Sequence, residues 1–208
     1  MRLLILLVLL IGAGAARAEP PAILVWGDSI SAGYGIRVAQ GWVALLQAKL
    51  QAGGYGYQVI NASVSGETTA GGMARLPRAL ALHHPAIVIL ELGGNDGLRA
   101  LPVGEMQQNL ARMTSLSRAA GARVLLLGIM IPPNYGPEYT GQFTRAFSDL
   151  AARDHVPFVP FLLAGVALDP ALMQADGYHP NEDGQPHLLA NVWPALQPLL
   201  GAPPSAGR

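Results

Sequence analysis

Short apolar runs alternate along the chain with longer segments whose apolar positions recur at helical spacing. The runs Ala22–Trp26, Gln58–Ile60, Ile87–Leu92, Val124–Met130 and Pro157–Phe161 predict five strands. Between the first two, Trp42, Val43, Leu45, Leu46 and Leu50 form the stripe of a helix. Thr68–His83, Val103–Ala120 and Phe143–Asp154 predict further helices, and a last one runs from about Pro186 to Leu200. The strands are apolar throughout rather than alternating, so both of their faces are covered, and strand–helix alternation implies parallel pairing. The prediction is a single α/β domain over residues 19–200, with no internal repeat or low-complexity linker. In such sheets ligands bind beyond the carboxyl ends of the strands. The polar residues that follow each strand are therefore where chemistry is to be sought.

Composition narrows the picture. Only 12% of the 208 residues are charged and 51% are hydrophobic, which excludes a disordered, solvated chain. Thirteen basic residues balance 13 acidic ones, so there is no basic excess to hold nucleic acid. The absence of cysteine removes disulfides, thiolate-held metals and a thiol nucleophile. Part of the apolar excess is not fold. Met1-Arg2, the apolar stretch Leu3–Ile11 and the ending Ala16-Arg17-Ala18 have the pattern of a secretory signal peptide over residues 1–18, cleaved after Ala18. The competing reading, an N-terminal anchor, usually needs about 20 apolar residues, and the Gly/Ala-rich end shortens this stretch. The expectation is a periplasmic or secreted protein with no stable membrane span after processing. Residues 201–208, rich in Pro, Ser and Gly, read as a disordered tail.

Three predicted strands end in polar, glycine-containing clusters: Gly27-Asp28-Ser29-Ile30-Ser31, Asn61-Ala62-Ser63-Val64-Ser65-Gly66 and Gly93-Gly94-Asn95-Asp96. A fourth cluster, Asp176-Gly177-Tyr178-His179-Pro180, lies near the C-terminus. Each alone reads as a turn or a helix cap. Four at one edge of one sheet can make nucleophilic acyl transfer. A serine hydroxyl needs an imidazole to take its proton, and the imidazole needs a third group to hold its tautomer. Ser29 at a strand-to-helix turn suits the nucleophile, while Asp176 and His179, three residues apart, suit the orienter and the base. The Ser29 N–H, the Gly66 N–H and the Asn95 side-chain amide are donors available to an oxyanion.

Together these blocks resemble the SGNH (GDSL) hydrolase superfamily, and within it the bacterial periplasmic thioesterase/lysophospholipase/arylesterase branch. The resemblance extends through Ala32-Gly33-Tyr34, Glu67-Thr68-Thr69, Gly97-Leu98-Arg99, Pro133-Asn134-Tyr135-Gly136 and Asn181, with Ile30 where the family usually has Leu. It implies a flavodoxin-like sheet, a Ser29–Asp176–His179 triad and an oxyanion hole of Ser29, Gly66 and Asn95, without metal or cofactor. The implied substrates are small acyl esters, acyl thioesters and lysophospholipids. A glycan O-acetylesterase of the same fold and a non-catalytic lipid- or glycan-binding module are the rival readings. A polar groove would favour the first, and loss of the serine or histidine the second.

The remaining polar residues have plainer readings. Ser63, Ser65, Asp28 and Asp96 are assigned to turns and loops. His83-His84 is assigned to a helix end, where imidazolium is favourable, and Arg75, Arg78, Arg112 and Arg118 to solvated faces. The stiff loop Ile131–Tyr139 and the stretch Gly97–Pro102 are expected to border the substrate groove, with Leu98, Pro133 and Tyr135 touching substrate.

Overall fold

The computed structural model describes residues 19–201; the predicted leader and residues 202–208 of the predicted tail lie outside the described residues. Five strands form one parallel sheet: β1 (Ala22–Gly27), β2 (Gln58–Asn61), β3 (Ile87–Glu91), β4 (Arg123–Leu127) and β5 (Phe158–Val159), in the order β2-β1-β3-β4-β5. This is the flavodoxin-like order. The chain moves outward one way from β1 to β2, then reverses and fills the other side from β3 to β5. Because parallel crossovers are right-handed, the reversal sends successive helices to opposite faces. Helices α2 (Trp42–Ala52) and α7 (Gln185–Leu196) pack together, and α3 (Thr69–His83), α5 (Val103–Ala119) and α6 (Pro137–Arg153) pack side by side. Two short helices, α1 (Ser29–Ala32) and α4 (Gly94–Leu98), open directly from the ends of β1 and β3.

The central strands are apolar because they are enclosed. Ile23 through Trp26, Ile87 through Leu90 and Leu125 through Leu127 are buried, as the continuous apolar runs require. Helix α3 sits close against the sheet at Gly72, where a Cβ would run into the Leu92 side chain; there the Trp26 indole N–H donates to the Gly72 carbonyl at 3.2 Å.

The element boundaries differ from the sequence expectation in several informative places. Helix α6 begins at Pro137, six residues before the predicted Phe143, because Pro at the first helical position starts a helix without an apolar signal. Strand β4 stops at Leu127 rather than Met130: Gly128 lies against the Pro160 backbone, and a side chain there would strike that carbonyl. Strand β5 is only two residues long, and the last predicted helix becomes α7 followed by a 3-10 turn over Gln197–Leu199. The α1 and α4 segments, read as turns, are single helical turns. Among the described residues no helix is long and apolar enough to cross a membrane.

Leu90, fully buried on β3 between β1 and β4, tests this core. Leu90→Ala should cost about 2–5 kcal/mol, the range for a buried Leu whose cavity collapses only partly. Urea melts should show the midpoint falling without a change of slope; a cost below about 1 kcal/mol would contradict the packing described.

Candidate active site

The pairing of β1 with β3 aligns Gly27 with Glu91, so the residues after each strand emerge side by side. Asp28 caps α1 with its side chain, accepting from the Ile30 N–H at 3.0 Å. Ser29 is therefore the first residue of a helix whose leading N–H groups have no intrahelical partner. Gly33, in the left-handed region at φ 75°, ends that single turn. The Ser29 hydroxyl lies 2.9 Å from His179 Nε2, and His179 Nδ1 lies 2.6 Å from Asp176 Oδ2. The other Asp176 oxygen accepts the N–H groups of Tyr178 and His179 at 2.9 and 3.0 Å.

The segment that carries Asp176 and His179 has no strand of its own and is tied down by side chains. Met173 and Pro180 form an isolated antiparallel bridge. The Gln174 amide donates to the carbonyls of Tyr34 and Pro180, fastening the segment to the residues just after α1. Buried Gln185 donates to the Pro180 carbonyl and accepts from the Trp42 N–H, linking the segment to α2. The Tyr34 ring rests 4.6 Å from the His179 ring.

Gly66, Asn95 and Ser29 line one groove of about 310 Å³. Gly66 has a positive φ of 79°, and its carbonyl accepts from the Arg99 guanidinium at 3.0 Å. The Asn95 amide donates to Asp28 Oδ2 at 3.2 Å, which occupies one of its two hydrogens. Buried Asp96 accepts from the Thr69 N–H and hydroxyl at 2.9 and 2.5 Å, pinning α4 to the start of α3. Much of the rest of the groove wall is apolar: Ile30, Leu98, Ile129, Met130, Ile131 and Leu163.

These positions sort the sequence expectations. Ser29, Asp176 and His179 meet, and Gly66 and Asn95 join them. Leu98 lines the groove as expected. Pro133 and Tyr135 do not: Pro133 is exposed, and Tyr135 supports the groove from outside by donating to the Leu98 carbonyl at 2.7 Å. Their places are taken by Ile129, Met130 and Ile131, which the apolar run had assigned largely to a strand. Tyr34 and Tyr178 flank the groove mouth, a role that no spacing signalled. Ser65 lies beside Gly66 on the groove, but it is Ser29 that bonds His179. Arg75 is only partly solvated; it covers the Trp26 ring at 4.2 Å and pairs with Glu67 at 2.6 Å. His84 closes α3 as a left-handed cap with φ 40°.

Comparison with known proteins fits this arrangement. The family model for GDSL-like lipases and acylhydrolases matches residues 25–186. The chain belongs to that family. It is 55% identical over 184 residues to the esterase TesA of Pseudomonas aeruginosa, covering 88% of this chain and 92% of that one. It is 42% identical to the thioesterase 1/protease 1/lysophospholipase L1 of Escherichia coli over 183 residues, 88% of this chain and 86% of that one. A crystal structure of TesA matches with a TM-score of 0.84 at 56% identity, covering 86% of this chain and 99% of the other. This GDSL-like acylhydrolase is an ester hydrolase with the α/β fold of the SGNH enzymes.

Two of its carboxyls sit in opposite surroundings. Partial burial pushes Asp176 up, but the hydrogen bonds from the His179 ring and from the Tyr178 and His179 N–H groups outweigh it and hold the group down at about 2. Asp176 is thus an anion at any ordinary pH. For Asp28, burial dominates over the Ile30 N–H, the nearby His179 and the Asn95 amide, and raises it from 3.8 to about 6. A folded-state value above the unfolded one means that the native state holds the extra proton, so stability falls as pH rises from about 4 to 6. Asp28→Asn removes that cost. The melting temperature of the variant relative to wild type should therefore be higher at about pH 8 than at about pH 4. A difference independent of pH, followed by calorimetry, would mean that Asp28 is not held in a desolvated site.

Proposed function

We propose that this enzyme cleaves carboxylic esters and acyl thioesters through an acyl intermediate on Ser29, with His179 as general base and acid and Asp176 as its orienter. The observation that carries the reading is the continuous chain from Ser29 Oγ to His179 Nε2 at 2.9 Å and from His179 Nδ1 to Asp176 at 2.6 Å. Asp176 keeps the Nδ1 proton in place, so Nε2 is free to accept. As Ser29 Oγ attacks the substrate carbonyl, its proton passes to Nε2 and negative charge gathers on the carbonyl oxygen. The Ser29 N–H, the Gly66 N–H and the second hydrogen of the Asn95 amide receive that charge. Collapse breaks the bond to the leaving group, which takes the proton from imidazolium. Water then enters and bonds the acyl carbon as one of its protons passes to His179 Nε2; collapse breaks the bond to Ser29 Oγ, which takes that proton back, and the carboxylic acid leaves.

The apolar wall of Ile30, Leu98, Ile129, Met130, Ile131 and Leu163 favours an aliphatic acyl chain over a sugar. We assign alkyl and aryl esters, acyl thioesters and lysophospholipids as the substrate class, in keeping with the thioesterase and lysophospholipase names of the Escherichia coli relative. The leader pattern of residues 1–18 supports action in the periplasm or outside the cell.

The test is hydrolysis of p-nitrophenyl esters of increasing chain length. The specificity constant should climb with each methylene, by up to about fourfold at about 0.8 kcal/mol per buried CH₂, until the groove is filled. Activity confined to acetate would point to a glycan deacetylase, and turnover surviving Ser29→Ala would remove the proposed nucleophile. Asn95→Ala should lower kcat by about 10²–10³ with little change in KM, the usual cost of one oxyanion donor. An effect on KM alone would take Asn95 out of that role.

A further inference from the structure

Beneath the catalytic turn lies a second acid that the acyl-transfer scheme does not use. Glu91, the last residue of β3, is fully buried, and its carboxyl fills the space next to Gly27 where a Cβ would come within 2.5 Å of Oε2. That oxygen accepts the Ser31 hydroxyl at 2.6 Å and the Asp28 N–H at 3.3 Å. The other oxygen, Oε1, is buried without a hydrogen-bond partner. The Asp28 carboxyl, itself buried, holds the Asn95 amide at 3.2 Å, and its charge acts on Glu91. Glu91 therefore touches Asp28, just before Ser29, and Ser31, two residues after it.

We propose that Glu91 is a positioning residue that carries a proton at neutral pH, and that as a neutral acid it fixes the Ser29 turn and leaves Asp28 as the anion that orients the Asn95 amide. This rests on the roles of Ser29 and Asn95 given above. When two buried carboxyls feel each other's charge and no cation stands between them, ionising one disfavours ionising the other. The titratable side chains that face Asp28 are His179, from the segment carrying Asp176, and Asp96, on α4. Among the described residues no lysine or arginine bonds to either carboxyl. The proton belongs on Glu91 because its surroundings solvate an anion poorly: one oxygen has no donor, and burying a bare carboxylate oxygen is far costlier than burying a neutral acid. Asp28 has two N–H donors, one on each oxygen. Burial and the neighbouring Asp28 charge both raise Glu91 well above its ordinary value, in the same direction as the geometry.

An anionic Asp28 accepts from Asn95 through a charge-assisted bond, which sets the amide plane and leaves the second N–H for the oxyanion. Were the proton on Asp28 instead, a carboxylic O–H could face the Asn95 NH₂, and the amide would lose its fixed orientation. Ser31 and the Asp28 N–H, held by Glu91, keep the α1 turn from drifting away from His179.

The direct test is infrared spectroscopy at about pH 8, where carboxyls with ordinary values near 4 are ionised. The wild-type protein should show the carbonyl band of a buried neutral carboxylic acid, and Glu91→Gln should lose it. Absence of the band in the wild type, or its survival in the variant, would overturn the proposal. Kinetics provide the second arm. Glu91→Ala should lower kcat by about tenfold or more with KM unchanged, and Glu91→Gln, which mimics the neutral acid, should recover most of that loss. A glutamine variant as impaired as the alanine one, or a loss confined to KM, would contradict it. If Glu91→Ala does not fold, the infrared band and the wild-type-to-glutamine comparison decide the matter. Failure of the acyl-serine reading is a separate outcome: ester turnover would survive Ser29→Ala while the infrared band stayed in place.

Discussion

The parallel pairing of β1 with β3 is the contact on which the rest of the site depends. Residues 27 and 91 are far apart in the chain but neighbours across the ladder, and beyond that register Asp28 meets Gly94 and Asn95. It is also where the sheet order reverses, so no helix crosses directly over the gap between the two strand ends. The close approach has a local requirement. Gly27 must lack a side chain because the Glu91 carboxyl occupies that volume. A parallel sheet, enclosed on both faces by helices, thereby leaves an open edge at which four loops present their polar residues.

Carboxyls hold those loops in place, and each does so differently. Asp96 joins α4 to the start of α3 through Thr69. Asp28 joins the β1 turn to α4 through Asn95. Asp176, half open to solvent and bonded three times, is kept ionised where it steadies the His179 ring, which in the proposed reaction gains and loses a proton. Asp28 and Glu91 lie deep, and burying them costs stability that the enclosed strands must offset. Environment, not residue type, separates their roles. The groove above them is apolar on the side away from the triad, so chain binding and bond breaking are assigned to different walls of one cleft.

Much of this was legible in the sequence because the physics that shaped it is local or periodic. Ile23–Trp26 and Ile87–Leu90 announce enclosed strands by being apolar without interruption, and alternation with helical stripes implies the parallel sheet. Ser29 stood out at a strand end, and Asp176 and His179 in a block of the family pattern; the structure brings these three side chains together. What was hidden depends on contacts distant in sequence. The first turn of α6 is exposed and starts at Pro137, so no apolar period marks it. Ile129 and Met130 look like strand because a groove wall and a sheet core favour the same residues. Tyr135 and Pro133 belong to a block of the family pattern, but that block braces Leu98 rather than touching the cleft. Glu91 left one faint trace, a lone acid at the end of an apolar strand, and only the register with Gly27 reveals what it contacts.

The central claim is that this edge of the sheet singles out one serine from several and activates it through His179. The most direct measurement is reaction with a fluorophosphonate followed by peptide mass spectrometry. The account predicts a single adduct per chain, on Ser29, whose formation is greatly slowed in His179→Ala. An adduct on Ser63 or Ser65, or labelling of Ser29 at an unchanged rate without His179, would contradict it.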